Sequence, residues 1–328
     1  MRIVKILEIL FFGAFLLACN RDYDFNYDII VSDTPTNLNG LNSGGDDYNS
    51  DLPYPAYRTD ITFSSNRGNN QNDFDFVSGI MDVSYHEKDD VLNITVPTND
   101  ISRKWPNDFY QKVNTNFNEF GPYSYHLDND VLFMYSSEEE NHKIKLVNII
   151  NANRSGTQIG EPIVLPVINE VGDNMYPSKG VVSDELLFCS NRDDSVFNMM
   201  SIKYNAPISA RVLEAGDVDS IEKETVLSSA YNDKCPSLTD DVLVFASNRP
   251  GGFGGYDLWY SRHDGNGWSV PENFGEKINT AYDEFRPVRI DLFGQDVMVF
   301  SSNRPNGKGG FDLYVVKAGL VPSKGVYY

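Results

Sequence analysis

Two stretches of this chain are nearly the same sentence. "VLVFASNRPGGFGGYDLWYSR" occupies 242–262 and "VMVFSSNRPNGKGGFDLYVVK" occupies 297–317. Each reads as an apolar strand, a glycine-rich turn and a second strand. Weaker copies surround Phe63, Phe133 and Phe188. The five aligned phenylalanines, with Phe245 and Phe300, are 70, 55, 57 and 55 residues apart. A second phrase precedes each copy: "INTAYDEFRP" at 278–287, "LSSAYNDKCP" at 227–236, "INEVGDNMYP" at 168–177 and "VNTNFNEFGP" at 113–122. The first copy keeps only "LPYPAYR" ahead of it. With linking segments such as "GWSVPENFGEKIN", each unit holds about four short strands and no helical periodicity.

A four-stranded sheet has two apolar faces and cannot cover both alone. Stacking such sheets face to face around a ring covers them, and closing the ring removes the exposed ends. The expected fold is therefore all-β: a single five-bladed β-propeller of four-stranded antiparallel blades. The F-x-S-N-R phrase followed by Y/F-D-L-W/Y, with Gly-Gly between, resembles the WD40-like (PD40) repeat of TolB-type propellers. The likeness is nearest to copies in Bacteroidetes outer-membrane proteins, and it covers most of residues 52 to 318. The second unit departs from it: "MYSSEEENHKIK" has neither SNR nor glycines. The resemblance implies binding and scaffolding.

The motif residues suggest local roles. Arg67 and Asp75, Arg249 and Asp257, and Arg304 and Asp312 are each eight residues apart. Across a hairpin this spacing can join guanidinium to carboxylate and lock the turn, while Gly251, Gly252, Gly254 and Gly255 permit positive φ. Residues that recur in every blade build blades, so binding belongs where blades differ. Propeller topology gathers the second phrases at one channel mouth. Tyr123, Tyr176, Tyr231, Tyr282, Asp283, Glu284 and Arg286 form its expected binding rim; aromatic faces beside amides and carboxylates suit sugars or peptides. The alternative is that these tyrosines pack between blades.

No catalytic residue, metal site or cofactor is expected. The four histidines, at 86, 126, 142 and 263, have no ligand spacing, and no G-x-S-x-G elbow occurs. The expectation is a non-catalytic binding or scaffold module for envelope proteins or cell-wall material, not an enzyme. The rival is a propeller-type polysaccharide hydrolase or lyase, or glycan binding without turnover. A buried, asymmetric pair of carboxylates would favour that rival.

Composition adds the setting. A net charge of −20 repels phosphate backbones, so nucleic acid is not a partner. "MRIVKILEILFFGAFLLAC" has two cations, an apolar run and a small residue before a cysteine, the layout of a lipoprotein leader. Residues 1–18 are then a signal peptide, Cys19 the lipid attachment point and the outer membrane the location. Residues 19–51 read as a polar tether and 52–328 as the propeller. "YDIIV" within the tether is the expected fourth strand of the last blade, with "GVYY" at the C-terminus as the alternative. Cys189 and Cys235, which replace small or apolar residues of the repeat, read as buried free thiols.

Overall fold

The computed structural model describes residues 25–52, 56–68, 73–97, 107–139, 141–152, 156–179 and 185–320. The leader, Cys19 and "GVYY" lie outside them. Five antiparallel sheets form five blades around one axis. The chain begins with β1 (Phe25–Ile30) and β2 (Thr36–Asn37), which belong to two different blades. Blade 1 is β3 (Asp47–Asp51), β4 (Arg58–Ser65), β5 (Asp75–His86) and β6 (Val91–Pro97), with β1 added outside β6. The short helix α1 (Asn107–Val113) leads into blade 2, which is β7 (Glu119–Leu127), β8 (Asp130–Ser137) and β9 (Lys143–Ile150). Its outer strand is split into β10 (Gln158–Ile159) and β11 (Ile163–Val164), both paired with β9.

Blade 3 is β12 (Asn174–Lys179), β13 (Glu185–Ser190), β14 (Asn198–Tyr204) and β15 (Val218–Lys223). Between its last two strands lies α2 (Ala210–Ala215), capped by Ser209 and ended by Gly216 at φ 62°. Blade 4 is β16 (Asp233–Thr239), β17 (Val242–Ser247), β18 (Asp257–Arg262) and β19 (Glu272–Asn273). Blade 5 is β20 (Glu284–Leu292), β21 (Gln295–Ser302) and β22 (Asp312–Lys317), completed by β2.

The ring is thus closed by the N-terminal segment, but through Thr36–Asn37 rather than "YDIIV". The latter extends blade 1 instead. This corrects the tether: from residue 25 on it contributes three strands, including the innermost of blade 1. Asn42 and Asp46 sit in "NSGGDD", the first copy of the second phrase, hidden in a glycine-rich stretch that reads as linker. The two short helices also interrupt a chain that reads as strand throughout.

The innermost strands β3, β7, β12, β16 and β20 share one irregularity. Each breaks register two to three residues in, at Asn49, Gly121, Tyr176, Cys235 and Arg286, all with positive φ. Such a bulge bends and twists a strand, as its place around the axis demands. In four blades the next residue is a proline, Pro122, Pro177, Pro236 or Pro287. Proline has no N–H to donate, and an inner edge facing the channel needs none.

Between the blades the cores are apolar. Phe63, Phe188, Phe245 and Phe300 are buried, each contributing about 1.5–3 kcal/mol by removal from water. In blade 2 the pairing of Glu119 with Ser137 makes Tyr135 their equivalent, not Phe133. A one-step alignment on phenylalanine slips by two residues there, which keeps the same sheet face.

Candidate functional site

The second phrase is a staple between neighbouring blades. Asn279 pairs its side-chain amide with both backbone groups of Leu258 in the preceding blade, at 2.8 and 3.0 Å. Asp283 accepts from Tyr256 N at 2.8 Å and from the Asn303 amide of its own blade at 3.0 Å. Asp46 does the same to Phe311 N at 2.7 Å, and so stitches the first blade to the last. Asn118 and Asn232 repeat it on Phe74 N and Phe197 N. The glycines serve this contact. Of the four in blade 4, only Gly251 has positive φ (98°). A Cβ on Gly254 would lie 2.0 Å from Tyr282 O, and one on Gly309 1.7 Å from Gly45 O. They are glycine because the next blade's loop is in the way.

The arginines lock, but not with the predicted partners. Arg249 Nη2 meets Asp233 on the innermost strand at 2.6 Å, Arg304 meets Glu284 at 3.0 Å and Arg67 meets Asp47 at 2.6 Å. The same carboxylates accept from a serine of the SNR phrase and from backbone N–H four residues earlier. Each guanidinium also covers its phenylalanine, as Arg249 covers Phe245 with its Cζ 5.0 Å from the ring centre. Asp257 and Asp312 instead cap the glycine turn, accepting from Phe253 N and Gly254 N and from Lys308 N and Gly309 N. The eight-residue spacing misled because the inner-strand carboxylate is nearer, though it stands 16 to 20 residues earlier in sequence.

Blade 3 has Asn174 in place of the acid, and burial lowers the affinity of Arg192 for its proton. Blade 2 departs further. Glu139 stands where the arginine stands elsewhere, and it pairs with Lys145. Glu119, fully buried, keeps only neutral donors: Thr115 Oγ at 2.6 Å, Thr115 N at 3.2 Å and Ser137 Oγ at 3.4 Å. Burial raises its pKa from the ordinary 4.5 to about 7, Thr115 opposing, Asp75 adding and Lys145 subtracting. Asp75, on the third strand of blade 1, is itself raised by burial and by Asp73. Its Oδ1 is buried and makes no hydrogen bond. The backbone hydrogen bond from Glu119 N to Phe74 O, at 2.9 Å, brings the start of β7 against the start of β5, and the charge of Asp75 is felt at Glu119. Neither was singled out as catalytic from sequence. The signal was present, as the blade that loses its arginine keeps its acid.

The predicted rim divides. Tyr231 and Tyr282 are exposed, in company with Phe117 at the same place in blade 2. Asp283 is the staple and Glu284 the lock. Tyr123 is half-buried and donates to Lys179 O at 2.7 Å, near the far end of its strand. Tyr176 and Arg286 are buried, the guanidinium carbon 5.6 Å from the Tyr176 ring centre. A cavity of about 460 Å³ lies elsewhere, at the split outer strand of blade 2, beside Asn148 and Glu214. Cys189 and Cys235 are free and buried. Among the described residues, no group of three or more His, Cys, Asp or Glu could hold a metal ion.

No protein-family model matches the chain, and no characterised protein matches it by sequence. Solved structures do match. A thermostable family-43 glycoside hydrolase aligns over 84% of this chain and 90% of its own, with TM-score 0.53 and 12% identity. The catalytic domain of the Coprinopsis cinerea family-62 α-L-arabinofuranosidase aligns over 87% and 96%, with TM-score 0.53 and 11% identity. The endo-arabinase of Bacteroides thetaiotaomicron aligns over 88% and 96%, with TM-score 0.51 and 13% identity. TolB of Agrobacterium tumefaciens overlaps 55% of the chain at TM-score 0.35. The expectation of a non-enzymatic scaffold is corrected by these matches. It took the repeat phrase to separate this chain from propeller glycosidases, whereas the three proteins just named, which share its ring along most of its length, are glycoside hydrolases by name. What the matches establish is the five-bladed propeller fold.

Proposed function

We propose that the chain is a propeller-type glycoside hydrolase acting on a polysaccharide at the face that carries Phe117, Tyr231 and Tyr282. The observation that carries this reading is Glu119, the inner-strand carboxylate raised to about 7 beside the raised Asp75. Glycoside hydrolysis needs one carboxyl that still holds a proton near neutrality and a second that can take one. Glu119 gives its proton to the glycosidic oxygen, the bond from that oxygen to the anomeric carbon breaks, and the sugar leaves as an alcohol. Water adds to the anomeric carbon and yields its proton to Asp75. The exposed aromatic rings offer stacking surfaces to sugar rings, and the acidic surface leaves neutral glycans unopposed.

Arabinose-containing polysaccharides are the first substrates to test, since two proteins of this fold are named for acting on them. Release of reducing sugar by the wild type, and its fall by about 10²–10⁴-fold in Glu119→Gln, is the expected result. Retention of glycan without products would reduce the function to binding, and full activity in the variant would remove Glu119 from the chemistry. The export reading belongs to this proposal as well: a lipid on Cys19 would hold the enzyme at the outer membrane, where polymers are met. Labelled palmitate should enter the wild type and not Cys19→Ala; equal labelling would end it.

A further inference from the structure

The outermost strand of blade 2 is broken in two. Gln158 and Ile159 pair with Ile150 and Ile149, whereas Ile163 and Val164 pair with Leu146 and Lys145. Four steps along the outer strand thus match three along β9, which is a bulge of one residue. It falls at Glu161 and Pro162, and proline has no N–H to offer a ladder. Lys112 of α1 holds the bulge, its Nζ donating to Ile159 O at 2.8 Å and to Glu161 Oε1 at 2.6 Å.

On one face of β9, Leu146, Asn148 and Ile150 follow one another by strand alternation. Leu146 belongs to the core shared with blade 3, together with Ile163 and with Leu213 of α2. Ile150 is 38% exposed, so this apolar strip continues past the point where that core ends. The cavity of about 460 Å³ lies on the strip and is bordered by Glu214 near the end of α2. Its volume is that of a small-molecule site. Among the described residues its lining is mainly aliphatic, with two carboxylates, Glu161 and Glu214, and no cation. Glu161 is already matched by Lys112, whereas Glu214, which is exposed, makes no ion pair among the described residues. Asn148 lines the same cavity, and its Oδ1 is buried and accepts no hydrogen bond. Buried amide oxygens are almost always bonded, so an N–H is wanted here.

We infer that this cavity binds a small organic ammonium on an aliphatic stem, the stem lying along Leu146, Ile150 and Ile163 and the –NH₃⁺ taken by Glu214 and the Asn148 amide oxygen. An aliphatic wall offers a bare metal ion or a sugar few partners, and the carboxylates repel fatty acids and phosphates. An alkyl ammonium is the class that satisfies both. The elements that build the site, β9, β10, β11 and α2, carry neither Glu119 nor Asp75, so it stands whether or not the chain cleaves glycans.

n-Hexylammonium, 1-hexanol and hexanoate share a stem and differ in the head. Isothermal titration calorimetry of the wild type at fixed ionic strength should give a one-to-one complex with hexylammonium, about tenfold tighter than with hexanol, and no complex with hexanoate. Glu214→Lys reverses the charge at an exposed helix position, where folding is not at stake. It should weaken hexylammonium about tenfold and leave hexanol unchanged. Asn148→Leu fills the cavity and removes the acceptor, and should abolish binding of both. The inference is overturned if hexylammonium does not bind, if hexanol or hexanoate binds as tightly, or if either variant holds the amine as well as the wild type does.

Discussion

Blades 2 and 4 are built on one plan and treat the same buried carboxylate in opposite ways. In blade 4, Asp233 is met by Arg249, by Ser247 and by the Ser229 N–H, so the charge is neutralised where it lies. In blade 2, Glu119 keeps the hydroxyl and the N–H but has lost the arginine. Glu139 has taken its place and turned to Lys145. The first arrangement holds a loop. The second leaves the carboxyl to burial, which pushes its pKa up to about 7. Under the proposed function, the site arises by deleting one partner from a structural cluster, without moving the backbone that positions the other.

The comparison is broken most forcibly at Arg249. Arg249→Ala leaves Asp233, whose side chain is fully buried, without its cation. The expected loss is about 3–5 kcal/mol of stability, because breaking one side of a buried pair strands the other charge. The matching change in blade 2, Glu139→Ala, removes an acid that is 45% exposed but leaves its partner Lys145, 10% exposed, without it, so the expected loss lies between the roughly 1 kcal/mol of an exposed pair and the loss at Arg249. Urea unfolding of the two variants beside the wild type measures both. Similar losses would mean that the two loops are equivalent after all.

The difference between these blades also marks what could be read in advance. The ring, its five units and the four-stranded blade follow from spacing and strand pattern, because each strand's alternation must match a neighbour's. The departure of "SSEEE" from SNR was visible as well. Its consequence was not, since Glu119 is brought to Ser137 only by pairing of β7 with β8. The pairing of arginine with an inner-strand acid was missed for the same reason: strand pairing, not sequence spacing, sets side-chain distance. Residues 36–51 escaped because Asn, Gly and Asp serve equally in linkers and in staples, and only the partner, Leu313 or Phe311 at the other end of the chain, tells them apart. Tyr231 and Tyr282 were legible as exposed loop aromatics. Arg286 and Tyr176 were not, for their burial depends on a bulge that no single blade reveals.

The finer test of the comparison is pH. Burial raises Glu119 from 4.5 to about 7, so the folded chain binds that proton more tightly than the unfolded chain does. Stability contributed by this group is then greatest below about pH 4.5, falls as pH rises toward 7, and levels off above it. The expected decline is roughly 3 kcal/mol across that window, from the size of the shift. Asp75, raised by burial and by Asp73, adds a slope of the same sign, whereas Lys145 works against it. Glu138 and Glu139 carry further negative charge on the adjoining turn, and Tyr135 packs beneath. Glu119→Gln keeps the shape and removes the titration, so the difference in unfolding free energy between variant and wild type should grow from acid to neutral pH in the variant's favour. In blade 5, Glu284 is also raised by burial but is opposed by Thr280 and Arg304, and Glu284→Gln leaves Arg304 facing a neutral amide, so no such gain should follow at pH 7. Denaturant midpoints taken across the pH range decide it: parallel curves for wild type and Glu119→Gln would show that the missing arginine leaves this carboxyl no different from its counterparts.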